Sequence, residues 1–320
     1  SLSSLQFGFH EMKTVSLVLG SGGARGYAHI GVIKALLECD YQIKGVAGCS
    51  MGALVGGFYA AGKLDAFEEW ARSLSYLEVL KLVDISLLSD GAIRGDKVFK
   101  KVAEMLDDIH IEDLNIPYTA VATDLTNQKE VWFSSGPIEQ AIRASCAIPS
   151  LILPVVSDNR VLVDGGVLNP LPIAASVSVH ADAIFAVDLS AEVPMPGGPV
   201  AVTVQEAEVQ EKQRHNWFTH LKDKALSMFD KEEGGQTEDA IDANLGKLGV
   251  MYQMFETMQE SLTQYKIAGY KPDLLIRIPK NSASIYEFYK ADQQIDLGYK
   301  IAQRAIEGFE RGEANTYGQL

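Results

Sequence analysis

The sequence predicts an α/β fold in which helices cover a parallel sheet, and three observations support this. Short apolar runs alternate with segments that carry apolar residues at helical spacing, which is the pattern of βαβ units. Residues 14–62 already give strand, helix, strand and helix in that order. Apolar residues make up 47% of the chain, which indicates a globular protein. A length of 320 residues is enough to bury a sizeable core.

Two βα units open the chain. The run TVSLVLG has the composition of a short buried strand, and the segment after it repeats apolar residues at helical spacing. Gly62 provides a stop for the second helix. The predicted segments are a strand at 14–20, a helix at 26–39, a strand at 41–48 and a helix at 53–62.

The next part of the chain, up to residue 190, continues in the same way. Two apolar strands flank a short turn at 126–128, and Pro149 closes the helix that follows them. A further strand ends at an aspartate and two glycines. We predict helices at 65–82, 94–108 and 137–147, and strands at 118–125, 129–135, 160–166 and 181–190.

The pattern changes after residue 190, where a Pro- and Gly-rich loop leads into two helical segments at 203–229 and 239–265. Both carry apolar stripes, which favours helices packed on each other and on the sheet, with an apolar cap for acyl chains as the alternative. A strand at 273–279 and a helix at 285–310 then return to the α/β pattern.

These segments predict one domain over residues 14–310 with a helical insertion at about 191–270. Residues 1–13 are interpreted as an N-terminal extension or processing remnant.

Charge and cysteine content narrow the class of protein. The net charge of −14 argues against nucleic-acid binding and against docking on anionic lipid, and leaves contact with uncharged or zwitterionic lipid open. Cys39, Cys49 and Cys146 are too widely spaced for a metal site or a disulfide framework, which suits a reducing compartment. No apolar run has the length of a signal peptide or a membrane span. We therefore expect a cytoplasmic protein.

Ser50 lies in the run GCSMG, between a predicted strand and a predicted helix. The pattern G-x-S-x-G places a serine on a sharp strand-to-helix turn, where Gly48 and Gly52 avoid collisions with neighbouring backbone. Such a turn exposes the serine oxygen at the start of a helix, where an activated nucleophile is favoured. The pattern alone leaves a second interpretation open, in which Ser50 only caps the helix.

The run GSGGAR, residues 20–25, also follows a strand and opens a helix, and we call it the glycine loop. A dinucleotide fingerprint would need a third glycine where Arg25 stands, and a P-loop would need a lysine followed by serine or threonine. The remaining interpretation is an oxyanion hole, in which the N–H groups of Gly22 and Gly23 stabilise a negative carbonyl oxygen. Adjacent parallel strands would bring this loop next to Ser50.

Asp164 ends a strand and enters the glycine turn DGG. It is interpreted either as a turn residue or as a general base for Ser50, which burial would make more basic. A Ser-Asp-His triad would need a late histidine, and His180, His215 and His220 are the candidates. None of them sits in a glycine-flanked loop after a terminal strand, so the histidine triad is the weaker hypothesis.

The motifs GSGGARG, GCSMG and DGG, in this order, resemble those of the patatin-like phospholipases. The longer stretch IRASCAIPSLILPVVSDNRVLVDGGVLNPLP at 142–172 does so as well, and the similarity covers about residues 14–190. One departure is Ser21, which stands where the family loop usually has the first of three glycines. The resemblance implies a three-layer α/β/α sandwich with a mostly parallel central sheet.

The resemblance also implies a lipid acyl hydrolase, of phospholipase A or carboxylesterase type, that acts through a Ser-Asp pair. Carried over residue by residue, it makes Ser50 the nucleophile, Asp164 the base, Gly22, Gly23 and Ala24 the oxyanion hole, and Arg25, Gly48, Gly52, Gly165 and Gly166 supporting residues.

We therefore expect a lipid or small acyl-ester substrate, no cofactor and no metal, with peripheral membrane contact as an option. A transacylase using the same pair, and a non-catalytic regulator that binds lipid or protein on the same fold, are the alternatives.

Overall fold

The computed structural model describes residues 13–82, 95–149, 151–196 and 238–313. The predicted helix at 203–229 and nearly all of the proposed N-terminal extension lie outside these described residues.

One mixed sheet forms the centre of the described structure. Its strands are β1 (Lys13–Leu19), β2 (Tyr41–Cys49), β3 (Tyr118–Asp124), β4 (Lys129–Phe133), β5 (Val155–Ser157), β6 (Arg160–Asp164), β7 (Ala183–Ala191) and β8 (Leu274–Pro279). Their order is β5-β6-β3-β2-β1-β7-β8, and β4 also pairs with β3. Strands β3, β2, β1, β7 and β8 run parallel, whereas β4 and β6 are antiparallel to β3, and β5 is antiparallel to β6.

Helices cover the sheet, as predicted from the βα pattern. They are α1 (Ala28–Glu38), α2 (Met51–Ala60), α3 (Leu64–Ser73), α4 (Tyr76–Leu82), α5 (Asp96–Leu106), α6 (Ile138–Ser145), α7 (Glu238–Gly269) and α8 (Ala291–Glu310). Short 3₁₀ turns occupy Gly23–Tyr27, Ile111–Asp113, Gly165–Val167 and Ile173–Ser176.

Successive residues of β1 pack into separate cores, because side chains of a strand alternate between its two faces. Leu17 belongs to the large core that α1, α2 and α8 form on one face. Val18 belongs to a smaller core with Ile173 and with Ile267 of α7 on the other face. The sheet is therefore enclosed between two layers, and the predicted α/β class is confirmed.

Two predicted helices differ most from the structure in their bounds. The segment 65–82 forms two helices, α3 and α4, because Leu74 is extended and Ser75 caps the start of a new helix at Tyr76. The Ser75 N–H donates to Glu78 Oε2 at 2.7 Å, and the Glu78 N–H donates to Ser75 Oγ at 3.4 Å, which is a capping box. The last helix begins at Ala291 rather than at 285.

No helix in the described segments combines the length and the apolar composition that crossing a bilayer requires.

Candidate active site

Ser50 is the single residue between β2 and α2, and its backbone is strained. Its φ of 55° and ψ of −124° lie outside the regions that residues with a Cβ atom favour. The flanking glycines have no room for a side chain. A Cβ atom on Gly48 would lie 2.4 Å from the Gly52 carbonyl oxygen, and one on Gly52 would lie 2.0 Å from the Leu19 oxygen. The turn therefore has the geometry of a nucleophile elbow.

A hydrogen bond that the sequence analysis missed holds this turn. The Ser50 N–H donates to Ser145 Oγ at 2.9 Å, and Ser145 Oγ donates to the Val121 oxygen of β3 at 2.6 Å. Ser145 is fully buried at the end of α6, so it links the turn to the sheet. Ser145 lies in the stretch 142–172, whose resemblance to the family was the one sequence feature that could have indicated a role for it.

Asp164 lies at the end of β6, fully buried, with its two carboxyl oxygens in different environments. Oδ1 accepts the Gly166 N–H at 2.7 Å and the Cys49 Sγ–H at 3.7 Å. Oδ2 has no hydrogen bond of regular geometry in the described structure. The Gly-Gly turn is tightly confined, because a Cβ atom on Gly165 would lie 2.2 Å from the Val121 oxygen.

Burial raises the pKa of Asp164 to about 6, although hydrogen bonds from Ser50, Gly166 and Cys49 act in the opposite direction. The Ser50 hydroxyl therefore lies close to this carboxyl group, whose Oδ2 has no other hydrogen bond in the described structure. A carboxylate with this pKa is a stronger base than an exposed aspartate and is still ionised at pH 7.

The glycine loop lies beside the Ser50 turn because β1 and β2 are adjacent parallel strands, with Leu19 paired to Gly48. Three of its N–H groups donate to backbone carbonyls: Gly20 to Val187 at 3.1 Å, Ser21 to Pro170 at 2.9 Å and Ala24 to Ile285 at 2.9 Å. The N–H groups of Gly22 and Gly23 find no acceptor among the described residues. They begin a 3₁₀ turn, where N–H groups lack intrahelical partners.

Arg25 closes the glycine loop and is only 6% exposed. Its guanidinium donates to the Gly22 carbonyl at 3.2 Å through Nε, to the Lys280 carbonyl at 2.7 Å through Nη1 and to Glu256 Oε1 at 2.9 Å through Nη2. The Arg25 side chain therefore binds three acceptor groups of the protein itself.

Helix α7 reaches the site from the region predicted as an insertion. Gln259 Nε2 donates to Ser21 Oγ at 3.0 Å. The same nitrogen lies so close to Gly166 that a Cβ atom on that glycine would be only 1.8 Å from it. Burial raises the pKa of Tyr252, and the charges of Glu256 and Asp164 raise it further. The sequence analysis missed these groups, because it evaluated this helix only for its apolar stripe.

The histidines do not complete a triad in the described structure. His180 is exposed before β7, at the edge of the sheet opposite to Ser50. His29 is fully buried; its Nε2 lies 2.8 Å from the Gly20 carbonyl oxygen, and burial lowers its pKa to about 4. It is therefore neutral at pH 7 and donates to the glycine loop. His215 and His220 lie outside the described residues.

Comparison with known proteins gives matches over most of the chain. The family model described as patatin-like phospholipase matches residues 17–177. An uncharacterized NTE family protein of Mycobacterium tuberculosis is 39% identical over an alignment of 331 positions, which covers 92% of each chain. Human patatin-like phospholipase domain-containing protein 6 is 27% identical, and the match covers 94% of this chain and 21% of that protein.

A further relative and a solved structure match this chain over different shares of its length. Lysophospholipase NTE1 of Mycosarcoma maydis is 34% identical over 191 residues, which cover 55% of this chain and 10% of that protein. The crystal structure of VipD from Legionella pneumophila has a TM-score of 0.46 and 15% identity, and it covers 93% of this chain and 67% of that chain.

Proposed function

The chain belongs to the patatin-like phospholipase family, and we propose that it is a lipid acyl hydrolase with Ser50 as nucleophile and Asp164 as base. The observation that carries the proposal is the pairing of a strained, non-glycine Ser50 at φ 55° with a fully buried carboxylate whose pKa is about 6. A family model for phospholipases and a lysophospholipase among the relatives support a lipid ester as the substrate class.

In the first step, Ser50 Oγ attacks the ester carbonyl carbon while Asp164 Oδ2 takes the hydroxyl proton. The carbonyl oxygen becomes negative, and the N–H groups of Gly22 and Gly23 stabilise it. When the tetrahedral intermediate collapses, the ester C–O bond breaks and Asp164 returns the proton to the leaving alcohol. The products are an acylated Ser50 and a free alcohol.

In the second step, Asp164 takes a proton from water, and the resulting hydroxide attacks the acyl carbon. Collapse releases the carboxylic acid and returns the proton to Ser50 Oγ, so the enzyme is regenerated. The same carboxylate serves both steps because it is neutralised and then recharged in each.

Ala24 and Arg25 support the site without contacting the reacting atoms. The Ala24 N–H is bonded to the Ile285 carbonyl at 2.9 Å, so we assign Ala24 to anchoring the loop rather than to the oxyanion hole. Arg25 is bonded to three protein acceptors, and we assign it to the shape of the loop.

Peripheral contact with a lipid surface is part of the proposal. Met251, Met254 and Met258 of α7 are 53%, 59% and 53% exposed, on the helix that also reaches the site. The chain has a net charge of −14, so a zwitterionic or uncharged lipid surface fits these exposed methionines better than an anionic one.

The test compares wild-type protein with Ser50→Ala on p-nitrophenyl esters and on phospholipid and lysophospholipid substrates. We expect turnover by the wild type and none by the variant, and labelling of Ser50 alone by a fluorophosphonate probe. Unchanged turnover in Ser50→Ala would contradict the assignment of the nucleophile. Transfer of the acyl group to an added alcohol in preference to water would instead identify a transacylase.

A further inference from the structure

Helix α7 lies outside residues 17–177, the part of the chain that the family model matches, and yet it contacts the glycine loop at two points. Glu256 and Gln259 are three positions apart, so both side chains lie on the same face of the helix. One reaches the loop through Arg25 and the other through Ser21.

The Gln259 contact is direct. Its Nε2 donates to Ser21 Oγ at 3.0 Å, and both residues are buried, at 7% and 9% exposure. The same amide lies against Gly166, in the turn that fixes Asp164 Oδ1. Gln259 thus connects the glycine loop to the turn that carries the base.

The Glu256 contact acts through Arg25. Glu256 Oε1 accepts from Arg25 Nη2 at 2.9 Å, while Arg25 Nε donates to the Gly22 carbonyl oxygen at 3.2 Å. The carbonyl of Gly22 and the N–H of Gly23 belong to one peptide plane and point in opposite directions in a trans peptide. Holding the carbonyl toward Arg25 therefore directs the Gly23 N–H away from it.

A loop built on Gly22 and Gly23 needs this kind of restraint, because glycine has more backbone freedom than any other residue. Rotation of the peptide between them would turn a carbonyl oxygen to the side where an N–H is needed. An oxyanion hole accelerates a reaction because its donors are already oriented before charge develops.

We propose that Glu256 and Gln259 are positioning residues of the oxyanion loop: α7 holds the Gly22–Gly23 peptide in its catalytic orientation through Arg25 and Ser21. The inference rests on the proposed function, because it assigns a role within the same site. It gives the region after residue 190 a part in the chemistry.

The experiment measures ester hydrolysis by Glu256→Gln, Gln259→Leu and the double variant, with Glu260→Gln as the matched control. Glu260 lies on the same helix and accepts from Lys280 Nζ at 3.0 Å, so the control also removes an ion pair of α7. We record kcat, KM, the rate of labelling by a fluorophosphonate, the pH midpoint of kcat and Tm for each protein.

Removal of one oxyanion donor costs about 10²–10³-fold in kcat, so loosening one support should cost about tenfold to a hundredfold. We expect KM and the pH midpoint to stay at wild-type values, because the substrate site and Asp164 are unchanged. Labelling should slow along with kcat. The double variant should lose less than the product of the single losses, since both side chains hold one loop. Glu260→Gln should keep wild-type kcat.

Three outcomes would overturn the inference while leaving the proposed function in place. The first is a wild-type kcat in both single variants, and the second is a raised KM in these variants at an unchanged kcat. The third is a loss of kcat in Glu260→Gln as large as that in the single variants, at the same Tm. An inactive wild-type protein would overturn the proposed function itself, and the inference with it.

Discussion

At the scale of single residues, the main unfavourable feature of the site is the buried charge of Asp164. Burial opposes ionisation and raises its pKa to about 6, whereas hydrogen bonds from Ser50, Gly166 and Cys49 favour the charged form. The balance leaves a carboxylate that is ionised at neutral pH and basic enough to accept a serine proton.

The pH dependence of hydrolysis follows from this balance. Because the protonated acid cannot act as a base, kcat/KM should rise with pH through a midpoint near 6 and level off above it. Asp164→Asn should lose about 10²–10⁴-fold in kcat, since an amide does not accept the serine proton. His180→Ala, a change of an exposed residue at the opposite edge of the sheet, should keep the wild-type rate and profile. A histidine variant as damaging as Asp164→Asn would restore the triad hypothesis.

The strained backbone of Ser50 gives a prediction about stability. Ser50→Ala keeps a Cβ atom at φ 55°, whereas Ser50→Gly removes it. A Cβ atom at a positive φ costs about 1–2 kcal/mol in the folded state. Glycine also makes the unfolded chain more flexible, which offsets part of this gain. Ser50→Gly should therefore be more stable than Ser50→Ala by about 1 kcal/mol. Urea unfolding of the two inactive variants measures the difference. Equal stability, or a more stable alanine variant, would mean that the turn is not strained.

At the scale of elements, short polar contacts decide where helices begin and how they meet the sheet. The capping box of Ser75 and Glu78 starts α4 and divides a segment that apolar spacing alone predicts as one helix. At the Ser50 turn, the end of α6 holds the start of α2 through Ser145.

Ser145→Ala tests this support. It leaves the buried Ser50 N–H without its acceptor, which should cost about 1–3 kcal/mol in stability and also lower kcat, because the serine loses its fixed position. Ser176→Ala is the matched control: its hydroxyl is buried and donates to the Ile173 carbonyl at 2.7 Å, but it does not touch the Ser50 turn.

Denaturation and ester hydrolysis should separate the two serine variants. Both should lower the free energy of unfolding, and only Ser145→Ala should lower kcat at temperatures where both variants are folded. A wild-type kcat in Ser145→Ala would show that the turn keeps its geometry without this bond.

At the scale of the whole molecule, the buried carboxyl group of Asp164 makes the free energy of unfolding depend on pH. The pKa of Asp164 is about 6 in the folded chain and near 3.8 when the group is exposed to water. Between these values the folded protein binds more protons than the unfolded one, so this carboxyl contributes a stability that falls as pH rises from about 4 to about 6. Above pH 6 the free energy of unfolding stays lower by about 3 kcal/mol than it would be without the pKa shift, because the shift is about two pKa units.

Asp164→Asn should therefore be more stable than wild type by a margin that grows from pH 4 to pH 6 and is constant from pH 6 to pH 8. Chemical denaturation at a series of pH values measures this margin. A margin independent of pH would mean that the carboxyl titrates alike in the folded and unfolded chains. The combination of lost activity and gained stability would identify Asp164 as a residue kept for chemistry rather than for folding.

The sequence by itself determined the α/β class and the three motifs around Ser50, Asp164 and the glycine loop. These features are local, because they depend on apolar periodicity and on glycines at fixed offsets within a few residues. The glycines at 48 and 52, for example, are required by backbone atoms next to them in the same strand-turn-helix unit or in the adjacent strand. The helix between β1 and β2 is the kind of crossover that joins parallel neighbours in a sheet, and the two strands do pair in parallel.

Only the tertiary structure decided which groups around these motifs are engaged. The Ala24 N–H is taken by Ile285, about 260 positions later in the chain, so Gly22 and Gly23 remain as donors. Ser145, Glu256 and Gln259 reach the site from α6 and α7 through single hydrogen bonds over long sequence distances. No periodicity encodes such contacts, because they depend on how separate elements pack together, and a side chain finds its partner only after that packing is complete.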